Sequence, residues 1–333
     1  MVLSPVPAGS ARFESRTSNV DLPVHVVSPQ ENAATGLQRT FTAGARHTYR
    51  VRLTVRSEVE GQRPVKIGAR TYVEPFARSA EAQLEWTAVR TVVSVNGGAA
   101  AIEETLSGFS GIQMTALPKT APEAASEARD DDSRKLREAL ESSLRAWLDA
   151  APRTLTYQED ARGGIIGLAP AAGLSFDETA PPLAALWLLR ALRPAATIPP
   201  RALRTGDRWQ EPRRIDFSNW TNEAALETGE WLDGPRTAEP SVRLHITQQL
   251  TGNVLPEATP NAPGKAPARA AELAEARFHA ESLATLSLAD ARVMAATRSA
   301  TRETSWLVSA PGLEENARFR GRLTLQVHIE EVR

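Results

Sequence analysis

Apolar and polar residues alternate along several segments of this chain, and a period of two is typical of a β-strand with one buried face. The segment HTYRVRLTVRS places four apolar side chains on one face: Tyr49, Val51, Leu53 and Val55. The segment RFRGRLTLQVHIE places five on one face: Phe319, Leu323, Leu325, Val327 and Ile329. Both segments predict long strands of a large antiparallel sheet, because such a sheet often buries one face and exposes the other.

Further strands and turns follow from the same pattern. Six more segments have strand character: 82–96, 100–109, 153–158, 241–250, 276–288 and 291–308. In the first of them the alternation holds through Ala88 and changes phase at Val89, which predicts a β-bulge. The Asn96-Gly97-Gly98 triplet tolerates positive φ and predicts a β-hairpin, and Gly163-Gly164 marks a second candidate hairpin.

Two segments have helical patterns. Residues 133–150 repeat apolar residues at helical spacing, and Asp130, Asp131 and Asp132 precede them at the positive end of the helix dipole. Residues 183–192 are apolar nearly all round and too short to cross a bilayer, which indicates a short buried helix. We therefore predict an α+β protein, mostly antiparallel sheet with one long amphipathic helix and one short apolar helix. An all-β fold is the alternative.

The length of the chain allows a large core. We predict one β-rich domain over residues 1–333, with two lobes, about 10–170 and 171–333, as a looser division. Residues 116–133 and 252–270 are rich in proline, alanine and charge and poor in large apolar residues. Such segments bury too little apolar surface to offset the entropy lost on ordering, so they predict flexible surface loops.

Composition removes several classes of function. The 39 basic and 40 acidic residues leave a formal net charge of −1, so nothing indicates a nucleic-acid partner. Cysteine is absent, which removes disulfides, thiolate nucleophiles and sulfur-ligated zinc sites. The sequence contains no apolar run of about 18 residues, so it predicts no transmembrane helix. The start MVLSPVPAGSARF is not an intact signal peptide, and both a mature exported chain and a cytoplasmic chain fit it.

The sequence contains no familiar catalytic or cofactor motif: no G-x-S-x-G elbow, no P-loop and no G-x-G-x-x-G. His245 and His328 lie on the polar faces of predicted strands, and with Glu330 they would form a metal site only if those strands were neighbours. Nothing in their spacing requires this. We therefore expect no catalytic residue, no cofactor and no bound metal.

A polar region contains three tryptophans about eleven residues apart, Trp209, Trp220 and Trp231, with Arg213 and Arg214 among them. Aromatic side chains interleaved with arginine can form a platform for a carbohydrate or a peptide. The alternative, which we favour, is that each tryptophan anchors one short strand to the core.

The segment TIPPRALRTGDRW (197–209) presents the same choice between a site and a turn. Its proline pair favours an extended backbone, and Gly206-Asp207 permits a tight turn before a strand that begins near Trp209. An Ile198-Pro199 start followed by Thr205-Gly206-Asp207 and Trp209 resembles a pattern of β-rich bacterial envelope or secreted proteins. That resemblance implies an exported β-rich domain and adds no mechanism.

Together these patterns favour a non-enzymatic exported bacterial protein with a binding or structural role, located in the periplasm, the cell envelope or the medium. A cytoplasmic location is the alternative, and the ligand would be a protein, a glycan or a lipid. Two other functions stay open. A curved sheet around an apolar helix would suit a carrier of an apolar ligand such as a lipid. A hydrolase whose site is assembled from distant residues is the third interpretation.

Overall fold

Strands make up most of the structure. The computed structural model describes residues 36–68, 70–115, 126–150, 153–166, 198, 202–214, 224–235, 239–253, 275–308 and 317–332, all within one compact unit, Ala34–Arg333. The strands are β1 (Arg46–Ile67), β2 (Arg70–Asn96), β3 (Ala99–Ser107), β4 (Gln113–Thr115), β5 (Thr154–Glu159), β6 (Ile165–Ile166), β7 (Arg208–Arg214), β8 (Ala224–Asp233), β9 (Ser241–Asn253), β10 (Glu275–Ser287), β11 (Val293–Val308) and β12 (Ala317–Val332). The helix is α1 (Ser126–Ala150).

These strands pair antiparallel in a single sheet. The strand order is β6-β5-β3-β2-β1-β12-β11-β10-β9-β8-β7, and β4 pairs with β2 beside this path. The first half of the chain runs from β1 to one edge, and the second half runs from the other edge back to β12. Pairing of β1 with β12, from Thr48↔Val332 to Gly61↔Phe319, joins the two halves.

One face of the sheet, here called the inner face, carries the apolar side chains that the alternation predicts. At the seam between β1 and β12, Leu53 lies opposite Val327 and Val55 opposite Leu325, and all four are buried. The core continues on both sides as two clusters, one around β1, β2 and β3 and one around β8, β9 and β10, and Ile329 packs against both. The strands predicted at the two ends of the chain are confirmed.

The sheet is strongly curled. The N–H of Arg39 donates to the carbonyl of Ala161 in the β5–β6 turn at 2.8 Å, and the next residue, Thr40, donates to Asp290 in the β10–β11 turn at 3.1 Å. In a flat sheet these turns would lie six strand steps apart, roughly 29 Å at about 4.8 Å per step. Residues 36–45, which we call the strap, therefore connect parts of the sheet that only curvature brings together.

Contacts between the two edges complete the curl. Arg162, in the β5–β6 turn at one edge, has its Nη2 3.6 Å from Oε2 of Glu211 on β7, the strand at the other edge. Ile198 N–H donates to the Arg162 carbonyl at 2.9 Å, and Arg162 Nε donates to the Ile198 carbonyl at 2.8 Å. The inner face is therefore concave, and the sheet wraps around its own core.

The α+β prediction is wrong, and the all-β alternative fits the structure. Among the described residues α1 is the single helix; it packs against β2 and inserts Leu140 and Leu144 into the core, so it adds one element and not a layer. It begins at Ser126, which places Asp130, Asp131 and Asp132 inside its first two turns. The apolar segment 183–192 lies outside the described residues. The prediction treated two helical segments as a helical layer of the fold, whereas backbone pairing among strands organises the fold.

The predicted loops are described only in part. Residues 116–125 and 254–270 lie outside the described residues, whereas 126–133 belong to α1 and 252–253 to β9. Flexibility of the loops stays a prediction. So does the division into two lobes, although strands from both halves of the chain share one sheet.

Both predicted hairpins are present. Gly97 and Gly98 have φ of 58° and 83° between β2 and β3, and Gly163 has φ of 83° in the turn between β5 and β6. Glycine adopts positive φ without the steric cost that other residues meet, which is why these turns can be tight.

The described part of TIPPRALRTGDRW is a turn that leads into β7, as predicted. Gly206 has φ of 88°, and its N–H donates to the carbonyl of Trp231 at 2.8 Å. The Arg204 N–H donates to Oδ2 of Asp207 at 2.8 Å, so the aspartate closes the turn. The strand begins at Arg208, and Trp209 is buried, 8 % exposed, in the core.

The Trp209 ring lies directly against the backbone of Gly229, its partner residue on β8. A Cβ atom added at Gly229 would overlap the indole ring, so the ring can occupy this position only when residue 229 is glycine. The core at this edge therefore depends on one large and one minimal residue facing each other.

We expect Gly229→Ala to destabilise the protein by about 1–3 kcal/mol, the usual cost of forcing extra volume into a packed core. The control is Gly111→Ala, where no atom lies within 4 Å of the added Cβ; it should change the free energy of unfolding by less than about 0.5 kcal/mol. Urea denaturation of both variants measures the difference. Equal midpoints would contradict the packing of Trp209 on Gly229.

We expect Trp209→Ala to cost about 3–5 kcal/mol, because it empties a buried aromatic site. Arg204→Gln keeps the backbone donor of the turn and changes only an exposed side chain, so its effect should stay within about 0.5 kcal/mol. Chemical denaturation compares the two variants with the wild type. A wild-type midpoint for Trp209→Ala would show that the ring does not anchor the core.

Candidate functional site

Four polar side chains interrupt the apolar inner face, one on each of four neighbouring strands: Glu227 on β8, Gln248 on β9, Ser282 on β10 and Arg298 on β11. We call this group the polar ladder. All four residues are buried, and Arg298, the most accessible of them, is 8 % exposed. Charged and polar groups in such a position are costly unless they find partners, so their contacts define what the site can do.

A chain of hydrogen bonds connects the ladder. Arg298 Nη1 donates to Ser282 Oγ at 3.0 Å, and Arg298 Nη2 donates to Gln248 Oε1 at 2.9 Å. Gln248 Nε2 in turn donates to Glu227 Oε2 at 2.7 Å. Arg298 Nε has no hydrogen-bond partner within the described part of the chain. Burial lowers the pKa of Arg298 to about 10, with Glu227 opposing the shift, so the guanidinium is still charged at neutral pH.

Small side chains surround the centre of the ladder. Ser282 and Arg298 lie directly opposite each other on β10 and β11, and an alanine pair flanks them on each side, Ala280↔Ala300 and Ala284↔Ala296. All four alanines are buried. Toward β10 the inner face is therefore thin, whereas on β12 the larger Val327 lies opposite Arg298. The cation lies among apolar groups in a region of low dielectric constant.

A second buried group, the end cluster, consists of Arg39, Tyr49, Arg90 and Glu159. Arg39 Nη1 and Arg90 Nη2 both contact the carboxylate of Glu159, so two guanidinium groups share one counter-ion. Burial, together with the neighbouring charge of Arg90, lowers the pKa of Arg39 to about 10. Burial raises the pKa of Tyr49 to about 12, so its hydroxyl is protonated at neutral pH.

The end cluster ties the strap to the sheet. The Arg39 guanidinium packs on the β5–β6 turn, where a Cβ added at Gly163 would lie 2.7 Å from Arg39 Nε. Next to it on the inner face, Glu331 Oε1 lies 2.9 Å from His47 Nδ1 and 3.1 Å from Arg292 Nε. The Arg39 pair joins the strap to β5, and the Glu331 pairs join β12 to β1 and to the β10–β11 turn; we interpret both as structural.

The outer face carries a shallow groove of about 570 Å³ across β1, β12, β11 and β10. Its lining is polar and includes Arg56, Glu58, Arg277, His279, Glu303 and Arg322. Much of the charge is neutralised within the groove. Hydrogen bonds from Arg320 and, to a smaller extent, from Arg322 hold the pKa of Glu303 below its usual value. Arg56 donates a hydrogen bond to Glu58 at 2.7 Å. An apolar ligand does not fit this surface.

The residues of the predicted tryptophan platform do not form one exposed surface within the described structure. Trp209 and Trp231 are buried in the cluster around β8 and β9, which agrees with the alternative that they anchor strands to the core. Trp220 lies outside the described residues. Arg213 and Arg214 lie on β7, and nothing is described of their side chains.

The structure does not bring the candidate metal ligands together. His245 lies on β9 and His328 on β12, with β10 and β11 between them. His245 Nε2 is instead 2.7 Å from Glu281 Oε1 on the neighbouring strand, in an exposed pair. In the described ranges no group of three histidine or acidic residues is placed to hold a metal ion.

The predicted β-bulge exists, but its predicted position is wrong because of Arg90. Strand β2 keeps its phase through Ala88, Arg90 and Val92, and the register shifts between Val92 and Ser94. The sequence pattern suggested a phase change at Val89 because an arginine rarely occupies a buried position. An inner-face arginine therefore looked like an outer-face residue.

The polar ladder and the end cluster were missed for the same reason, although each has a signal in the sequence. Gln248 is in phase with Leu244 and Ile246, and Arg298 is in phase with Ala296 and Ala300. A polar residue that keeps the phase of the apolar face marks a buried polar position. What such a residue contacts depends on strand order, which the pattern does not contain.

Comparisons with known proteins give no family. No family model matches the chain, and no curated protein matches it. One similar solved structure, of lipid–protein interactions in lipovitellin, has 10 % sequence identity and a TM-score of 0.41 over 88 % of this chain and 26 % of that one. Another, an outer membrane channel from Pseudomonas putida F1, has 9 % identity and a TM-score of 0.17 over 92 % and 100 %. This chain thus spans about a quarter of the lipovitellin chain, and neither likeness establishes its fold or function.

The described residues contain no helix that is both long enough and apolar enough to cross a membrane.

We expect Glu159→Gln to destabilise the protein by about 3–5 kcal/mol, because it leaves the buried guanidinium of Arg39 and the largely buried one of Arg90 without their shared counter-ion. The control is Glu138→Gln in α1, which removes an exposed pair with Arg134; it should cost no more than about 0.5 kcal/mol. Urea unfolding measures both. An unchanged midpoint for Glu159→Gln would show that the end cluster does not hold the strap to the sheet.

Proposed function

We propose that this protein is a non-enzymatic carrier whose curled sheet holds an apolar or amphipathic ligand against its inner face. The observation that carries the proposal is the combination of a continuous apolar face with a sheet that curls around it. A carrier must shield apolar surface from water and still release its ligand, and such a sheet supports both.

The apolar face supplies the binding energy. The two core clusters meet at Ile329 and extend over strands from both halves of the sheet. Burying about 300 Å² of ligand surface would contribute roughly 7 kcal/mol before the cost of association. By itself that free energy corresponds to a Kd of about 10 μM, and the cost of association weakens it unless the ligand buries more apolar area.

The segments that cover the core cluster around β8, β9 and β10 support reversible entry of a ligand. Leu37, Ile198 and Leu203 pack into it from segments outside the main strands, and Leu37 belongs to the strap. In the proposed carrier these segments move aside to admit the ligand while the twelve strands stay paired. In the proposed carrier the ligand lies between them and the alanine-rich centre of β10 and β11.

A hydrolase is less well supported by the described residues. The pair of His245 and Glu281 is exposed on the outer face, and no group of three histidine or acidic residues that the structure describes is placed to hold a catalytic metal ion. The polar groove on the outer face also lacks the apolar lining that most small-molecule sites have.

The test is to extract natively purified protein with organic solvent and to analyse the extract by mass spectrometry, then to titrate the delipidated protein with a fluorescent anthroyloxy-stearate probe. We expect a co-purifying lipid-class molecule and saturable binding near one probe per chain. Ala296→Phe, which fills the inner face, should weaken probe binding by about tenfold or more, since it places a bulky ring where the ligand would lie.

The matched control is Ala295→Phe, one residue earlier on β11, where the side chain points to the outer face. It should leave the affinity for the probe unchanged. Absence of any saturable binding, together with an extract free of apolar molecules, would overturn the carrier proposal.

A further inference from the structure

We propose that Arg298 binds the anionic head group of the carried ligand, so that the ligand class is an amphiphile with an apolar chain and a carboxylate or phosphate head. This inference rests on the carrier function proposed above and names the chemistry of its ligand.

The contacts of Arg298 support this assignment. Its guanidinium is buried, yet both described hydrogen bonds go to neutral oxygens, Ser282 Oγ and Gln248 Oε1. A guanidinium has five N–H donors, and Arg298 Nε has no acceptor among the described atoms. A buried cation with unused donors is costly by itself, and a carboxylate or phosphate would satisfy two donors at once.

The counter-charge on the ladder is indirect. Glu227 acts electrostatically on Arg298, but the hydrogen bonds between them run through Gln248, whose amide accepts from the guanidinium and donates to the carboxylate. An anionic ligand oxygen can take the place of Gln248 Oε1 without first breaking a direct ion pair. The amide then remains between the ligand and Glu227 and reduces the repulsion between two negative groups.

The residues that flank Arg298 on β10 and β11 are small. The alanine pairs Ala280↔Ala300 and Ala284↔Ala296 lie on either side of Arg298, so its neighbours along β10 and β11 are methyl groups. An acyl chain can extend from Arg298 over these alanines toward Ile246 and Leu244, which lie opposite Ser282 and Ala284 on β9.

The end cluster differs from the polar ladder in the charge of the groups that its arginines contact. Arg39 is also buried and Arg90 largely so, but both contact the carboxylate of Glu159 directly. A ligand anion there would have to displace an existing counter-ion. Both described hydrogen bonds of Arg298 go instead to neutral oxygens, and Glu227 acts on it electrostatically from beyond Gln248.

The experiment compares three ligands with the same twelve-carbon chain on delipidated full-length protein: laurate, dodecyl phosphate and dodecanol, each below its micellar concentration. Displacement of the fluorescent probe gives the affinities. We expect wild-type protein to bind at least one of the two anions about 10- to 100-fold more tightly than dodecanol, the range for charge-assisted hydrogen bonds. The tighter of the two anions identifies the head group.

Arg298→Gln should reduce the affinity for the preferred anion to that for dodecanol and leave dodecanol binding unchanged. Arg277→Gln, on the exposed outer face of β10, is the matched control and should keep the preference. Arg298→Lys keeps the charge but not the fork of donors, so an intermediate preference is expected. If Arg298→Gln does not fold, the wild-type comparison and Arg298→Lys still decide.

The outcomes separate this inference from the carrier function. Equal wild-type affinity for all three ligands would overturn the head-group assignment and leave the carrier function standing. Anion preference retained in folded Arg298→Gln would overturn it as well. Binding of none of the ligands and none of the probe would mean that the carrier proposal itself has failed.

Discussion

The pairing of the first strand with the last is the interaction on which the rest of this structure depends. Strands β1 and β12 pair over fourteen residue pairs, and without them the chain would form two separate runs of antiparallel strands. The seam lies at the centre of the sheet and buries Leu53, Val55, Leu325 and Val327. Because its partners are nearly the whole chain apart in sequence, closing it costs more loop entropy than any hairpin does, and such topologies fold slowly.

Joining the halves creates a sheet long enough to curl, and the curl creates an interior. Strands twist with a fixed hand, so a long sheet with one apolar face tends to bend around that face. The strap and the edge contacts of Arg162 hold the bend in place. The backbone hydrogen bonds among these contacts need no particular side chain, so the sequence contains no motif that predicts them.

Arginine has two different roles on the inner face. At the end cluster two arginines share a carboxylate. Removing that carboxylate would leave uncompensated charge, so this group stabilises the structure. On the polar ladder a single arginine is held by a hydroxyl and an amide, with its nearest carboxylate one residue further along the hydrogen-bond chain. A direct ion pair stabilises a structure and resists exchange, whereas neutral partners are more easily replaced by a ligand.

The sequence by itself determined the local features whose cause is local. Alternation identified the long strands of the sheet. Gly97, Gly163 and Gly206 marked turns because positive φ has few alternatives, and the packing of Trp209 followed from the turn before it. The fold class was misjudged because helical segments are as visible in a sequence as strands, although one helix packed on β2 does not make a layer. Only the tertiary structure decided which strands are neighbours. Strand order separates His245 from His328, and it brings Arg298 to Ser282 and Gln248 and Arg90 to Glu159, because an inner-face side chain meets whatever the adjacent strand presents.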